Sequence, residues 1–322
     1  MNEDFQNQDE QKEKEPDAEF VKPFSTIPPL NAAFIALIGI FLLYQIGGVL
    51  LTLTIFGFNF EKADVNAVRL LTTGGQILLM LLPTLIFARY VYKENTTFIL
   101  RVKFPSLKEI GIFVVGLILL TPLLQYFLSI QNFVLQKLAD ISPFVKSITN
   151  MLDKLDDLVE KTYGSLLTSH SVFEATFIIF VVAVIPALCE ETLFRGFVQK
   201  SFEQKLKPFW SIFITAVFFG LYHFNPYGLL PLIALGAFFG FAAFISDSIF
   251  VPIILHFINN LIAVLAFFLV GSDELIKTAA SKTESLFPQL ISFAIFGTLF
   301  VAYIFYIKTN YARLVSSKEE EL

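Results

Sequence analysis

Apolar residues in this chain come in runs of about twenty, broken by short polar turns. A helix needs about 20 residues to cross the ~30 Å hydrocarbon core of a bilayer. The pattern predicts an all-α fold, a polytopic membrane bundle of about eight transmembrane helices. The runs fall near Asn31–Phe56, Val68–Tyr92, Ile110–Ile130, Phe173–Val198, Phe209–Phe224, Leu229–Ile245, Phe250–Val270 and Pro288–Ile307. Pro83 and Pro122 lie inside runs, which membrane helices tolerate when neighbouring helices answer the freed carbonyls. The connection Gln131 to Ser171 is different. There Val145, Ile148, Leu152, Leu155 and Val159 recur at three- and four-residue steps, with Asp153, Asp156, Asp157 and Glu160 between them. That period predicts an amphipathic interfacial helix. Such a helix is more often a plain surface element than a lid over a site.

Composition agrees with the pattern: 55% of the 322 residues are apolar and 16% aromatic, more long apolar runs than a soluble domain of this size can hide. The net charge of −5 is local in origin. Residues 1–29 hold Glu3, Asp4, Asp9, Glu10, Glu13, Glu15, Asp17 and Glu19 and read as a disordered acidic tail. The tail is no secretory signal, because no basic start runs directly into a short apolar core, so the first apolar run is expected to be retained. Residues 30–308 form the membrane domain and residues 309–322 a short charged C-terminal tail. Lys and Arg favour the loops on the side of both termini, including Arg89, Lys93, Arg101, Lys103, Lys200, Lys205 and Lys207, which predicts cytoplasmic termini. No dense basic patch exists, so nucleic acid is not an expected partner. The single cysteine, Cys189, rules out an intrachain disulfide and reads as a packing residue rather than a nucleophile.

One apolar run is interrupted where interruption is expensive. Glu190-Glu191-Thr192-Leu193-Phe194-Arg195 follows Val172–Cys189, in which Glu174 is the sole charge. A charge at bilayer depth costs about 2.5–3.5 kcal/mol on insertion scales and marks a functional site by default. Glu191 and Arg195 are four apart, acid first, the favoured order for a helical ion pair. Glu190 leaves the helix about 100° away, without that partner and available as a general base. Of the three histidines, His170 sits at a helix boundary. His223 closes Phe219-Gly220-Leu221-Tyr222-His223, and His256 opens His256-Phe257-Ile258-Asn259-Asn260.

Helix counting brings these residues to one depth. The midpoint between Glu190 and His223 falls in the polar turn Lys205-Leu206-Lys207-Pro208, and the next turn on that side is Ser246-Asp247-Ser248. Asn260 lies about 20 Å of helix beyond it, with His256 one turn nearer. That depth is past the midplane if both turns sit at the surface, so either the turns protrude or the helix carrying Glu190 extends. Gly236 and Gly240 form a GxxxG that suits close packing inside the bundle.

A Glu, two His and an Asn in one pocket suggest hydrolysis, and two mechanisms fit. Glu190 and His223 activate a water while His256 and Asn260 stabilise an oxyanion; or Glu190, His223 and His256 hold Zn²⁺ with a water in the fourth position. The ordered trio EExxxR, FxxxH and HxxxN resembles that of the CAAX protease and bacteriocin-processing (Abi) family of intramembrane proteases, across roughly residues 172–270. The resemblance implies a membrane-embedded endopeptidase. In it Glu190 and His223 act on the water, His256 and Asn260 act as the oxyanion site, and Glu191, Arg195 and Phe219 support them. It also implies a membrane-associated peptide or protein substrate met in the lipid bilayer. Likeness to the shorter members implies a bacterial plasma membrane, with peptide maturation or bacteriocin self-immunity in place of prenyl-protein trimming. A transporter or channel, or a non-catalytic scaffold of the same fold, is the competing reading, although no inverted repeat is visible.

Overall fold

The helix starts are written in the polar residues between the apolar runs. Asp64 accepts a hydrogen bond from the Ala67 amide at 3.0 Å. Ser106 and Glu109 close a reciprocal capping box. Ser142 and Ser171 each accept from the amide three residues on. These caps answer amides that a helix start leaves bare.

The computed structural model describes residues 24–58, 63–270 and 286–316. Its helices are α1 (Pro29–Phe56), α2 (Val65–Ile99), α3 (Leu107–Ile141), α4 (Pro143–Leu167), α5 (Val172–Glu203), α6 (Pro208–Tyr222), α7 (Leu229–Ser246), α8 (Phe250–Val270) and α9 (Leu286–Ser316). Among the described residues there is no strand. The protein is thus an all-α polytopic membrane bundle, as the apolar pattern predicts. Residues 1–23 of the expected acidic tail and 317–322 of the C-terminal tail lie outside the described residues.

Among the described residues, seven helices are long and apolar enough to cross a membrane. The fifth predicted span is the exception. α6 has 15 residues, about 22 Å, short of the ~30 Å core. It starts at Pro208 and stops where Phe224 turns left-handed, at φ 48°. α5 goes the other way: its 32 residues span about 48 Å, so it reaches well beyond the hydrocarbon. That extension is one of the two ways in which helix counting could be satisfied.

Charged side chains at the Glu203 end of α5 lock three segments together. Arg101, in a left-handed turn at φ 53°, meets Glu203 at 2.5 Å and Asp247 at 2.6 Å. Lys200 also meets Asp247, at 2.7 Å. Arg101 and Glu203 are both buried, so that pair acts in a low-dielectric setting where an unmatched charge is costly, whereas Asp247 is half-exposed.

Among the described residues, three π turns interrupt the long helices: Ile77–Leu81 in α2, and Phe180–Val184 and Thr192–Val198 in α5. A π turn disturbs the regular ladder and is frequent at functional sites. Each one here has a carbonyl that accepts from a side chain. Thr84 donates to Met80 at 2.7 Å, Asn260 to Val182 at 3.1 Å and Arg101 to Arg195 at 3.2 Å.

The predicted amphipathic helix is α4. Phe144, Ile148, Met151, Leu155 and Leu158 are exposed along it at three- and four-residue steps, which is one face. Hydrogen bonds from Arg69 and Tyr227 help tie α4 to the bundle. Arg69 on α2 donates to the Leu166 carbonyl at 3.0 Å and the Thr168 carbonyl at 2.5 Å, finishing the helix. Tyr227 donates to Asp153 at 2.5 Å, which places α4 against the loop that follows His223. Burial, reinforced by the Asp153 carboxylate, pushes the Tyr227 phenol above its ordinary range.

Candidate active site

Glu190 and Glu191 are adjacent on α5 and diverge around it, so each meets a different helix. Glu191 is fully buried and paired with Arg195 at 2.8 Å, one turn on. The same oxygen, Oε1, lies 2.8 Å from the Nδ1 of His256 on α8. A carboxylate only accepts, so the His256 proton sits on Nδ1 and Nε2 is left for other partners. The second Arg195 nitrogen donates to the Gly236 carbonyl at 2.9 Å. Its guanidinium lies 4.3 Å from the Phe219 ring centre, a favourable placement of a cation on an aromatic face. This array of acid, base and imidazole is buried between α5, α7 and α8.

Glu190 turns toward the end of α6. Its Oε2 stands 3.8 Å from the Nε2 of His223, with the two side chains 13% and 23% exposed. That oxygen is itself buried and has no hydrogen-bond partner. His223 Nδ1 lies 2.7 Å from the Phe219 carbonyl. A carbonyl only accepts, so Nδ1 carries a proton, and in the neutral ring Nε2 presents its lone pair toward Glu190. The gap of 3.8 Å is too long for a direct hydrogen bond and short enough for a single small donor to reach both atoms.

Phe219 holds the two halves in place. Its ring centre is 4.7 Å from that of His223 and 5.9 Å from that of His256. Glycine makes room for it. A Cβ at Gly236 would come within 2.9 Å of Phe219 Cδ1 and 3.2 Å of Arg195 Nη2. The GxxxG on α7 therefore packs inside the bundle, as its sequence context predicts.

The expected constellation thus assembles in part and divides in part. Glu190 and His223 meet. His256 instead engages Glu191, a link that spacing along one helix cannot reveal. Asn260 commits one amide N–H to Val182 and accepts at Oδ1 from Asn259 at 3.2 Å. Its second N–H is not used by either contact. Cys189 is fully buried among Leu193, Phe194 and Phe197, in keeping with packing. His170 is exposed at the start of α5, where its amide donates to Glu174 at 2.7 Å.

A zinc centre needs at least three protein ligands around one point. Among the described residues no group of three or more His, Cys, Asp or Glu side chains is placed to hold a metal ion. Glu190 and His223 supply two donors, and His256, held by Glu191 through Nδ1, is not grouped with them. Among the described residues, the expected Glu190–His223–His256 ligand set is therefore not gathered around one point.

A carboxylate and an imidazole facing each other inside a membrane bundle have the chemistry of water activation. Residues 172–262 match the family model described as Type II CAAX prenyl endopeptidase Rce1-like. The matched stretch contains Glu190, Glu191, Arg195, Phe219, His223, His256 and Asn260. It is the model of a protease family, in agreement with the resemblance carried by the three motifs, and it supports an intramembrane CAAX-type endopeptidase in general. No curated protein and no solved structure matches the chain.

Proposed function

We propose that the protein hydrolyses a peptide bond of a membrane-associated protein or peptide, with Glu190 as general base. The observation that carries this is the 3.8 Å approach of Glu190 Oε2 to Nε2 of His223, the nitrogen that keeps a lone pair in the neutral ring. A water between them gives its proton to Glu190 and is oriented by the His223 lone pair. Its oxygen adds to the scissile carbonyl. The oxyanion that develops is met by the free N–H of Asn260, and by His256 Nε2 when that ring is doubly protonated against Glu191. Glu190 then passes its proton to the departing amine as the C–N bond breaks. Water is consumed and one acid and one amine are released, with no other reactant.

In this reading Arg195 and Glu191 keep His256 in register and Phe219 spaces the imidazoles. The substrate reaches the site within the bilayer, in a bacterial plasma membrane with both termini of the chain in the cytoplasm. Peptide maturation or self-immunity is the role that fits such a setting. The test compares new peptide termini in membranes from cells carrying wild type and Glu190→Gln. Termini that vanish in the variant, with the protein still folded, support the endopeptidase. Unchanged termini together with altered ion or solute flux would point to a transporter, and an intact phenotype in both Glu190→Ala and His223→Ala to a scaffold.

A further inference from the structure

Most threonines described in the membrane helices share one habit. Thr52, Thr54, Thr72, Thr84, Thr121, Thr176, Thr192, Thr215, Thr298 and Thr309 each donate to the carbonyl four residues back. Thr73 departs from it. Its hydroxyl is buried and without a hydrogen-bond partner, although Thr72 beside it follows the rule. One turn on, Gln76 is only 7% exposed and its Oε1 is likewise buried and unpartnered. Two such orphans, three residues apart on one helix face, are costly, because a buried polar atom without a partner loses its hydration uncompensated.

Their position gives the orphans a meaning. α2 and α5 run side by side in the same direction: Arg69 bonds to Thr168 just before α5, and Tyr92 bonds to Ser201 near its end at 2.9 Å. The Val65–Gln76 segment packs on both the Phe180–Val184 π turn and the Ile185–Glu191 segment of α5. Gln76 itself abuts the π turn Ile77–Leu81, which packs on the same segment of α5. The segment that carries Thr73 and Gln76 therefore lies along α5 near the level of Val182, where Asn260 arrives from α8. Glu190 is eight residues farther along, roughly 12 Å. An extended peptide covers that distance in about three to four residues.

We propose that Thr73 and Gln76 bind the backbone of the substrate, in extended form, about three to four residues from the bond that is cut. This rests on the endopeptidase reading above and adds the substrate's conformation to it. A primary carboxamide offers an acceptor and donors that match a peptide unit, and a hydroxyl offers both roles in one atom. A helical substrate has its backbone groups already paired, so this subsite selects unwound segments. It reads main chain rather than side chains and so tolerates varied sequence.

The experiment uses the full-length protein in nanodiscs with a library of quenched-fluorescent decapeptides, with and without a farnesylated cysteine. On the fastest-cleaved peptide, Gln76→Met and Thr73→Val each raise KM about five- to tenfold, the worth of one net hydrogen bond, with kcat nearly unchanged. Their melting temperatures stay level or rise, because an orphaned polar atom has been removed. A single backbone N-methyl group, scanned along the peptide, weakens binding to wild type at one position three to four residues from the cut, and that penalty disappears in Gln76→Met. An unchanged KM, an N-methyl penalty that persists in the variant, or a lowered melting temperature with lost kcat each overturns the subsite while leaving the endopeptidase standing. Failure of wild type to cut any peptide overturns the endopeptidase reading and the subsite with it.

Discussion

Glu191 and His256, 65 positions apart in the chain, are joined by a 2.8 Å hydrogen bond between Oε1 and Nδ1. The same oxygen holds Arg195. One fully buried carboxylate therefore compensates a buried guanidinium and sets the tautomer of an imidazole. Its neighbour Glu190 carries neither duty, and this division separates the folding role of the acidic pair from its chemistry.

The two glutamates should respond oppositely to mutation. Glu191→Ala strands the Arg195 charge in the core, a loss of about 3–5 kcal/mol, seen as a large fall in melting temperature. Glu190→Gln leaves the melting temperature level or higher and abolishes cleavage. Thermal unfolding in detergent, run beside a cleavage assay, measures both.

Gly236→Ala places a methyl group 2.9 Å from Phe219 and 3.2 Å from Arg195. Overpacking of this kind costs about 1–3 kcal/mol. Because Phe219 touches both imidazoles, kcat should fall as well. Gly48→Ala, where nothing lies within 4 Å of a new Cβ, is the matched control and should leave both unchanged.

The acidic face of α4 sets a dependence on pH. Burial, then the nearby Asp153 and Asp157 carboxylates, raise the Asp156 carboxyl above its ordinary value. The folded state then holds more protons than the unfolded state across the window from that ordinary value up to the raised one. Folding is accordingly strengthened as pH falls through the window and weakened as it rises. Asp156→Asn should raise the melting temperature at neutral pH, and the gain should shrink toward wild type in acid.

With two rather than three donors at one point, the Glu190–His223 pair should work without a bound transition metal. Treatment with 1,10-phenanthroline is expected to leave cleavage intact. Inhibition reversed by Zn²⁺ would instead show that the site regroups around a metal.

How much of the site the amino-acid order reveals depends on the range of each contact. The Glu191–Arg195 pair lies within one turn of a single helix, so spacing and order suffice to predict it. The meeting of Glu190 with His223 is also foreseeable, because a hairpin about the 205–208 turn brings them level. His256 is less tractable. Counting places it at the right depth, but the rotation of α8 about its own axis decides which glutamate it faces, and that rotation is set by packing against α5 and α7. α6 ends at Tyr222 rather than at Phe224, because the backbone leaves the helix at His223 and turns left-handed at Phe224.

Order along the chain determined the class: apolar runs of bilayer length can satisfy their backbone only as helices, and charges placed inside them must gather where other polar groups answer. It likewise determined which residues were candidates for chemistry. Only the packed bundle decided how those candidates are shared out, with Glu190 on His223, Glu191 on Arg195 and His256, Asn260 on a π-turn carbonyl, and Thr73 and Gln76 left bare. These outcomes depend on helix rotation and on the π turns that shift register, and both arise from side chains far apart in sequence meeting in a close-packed interior.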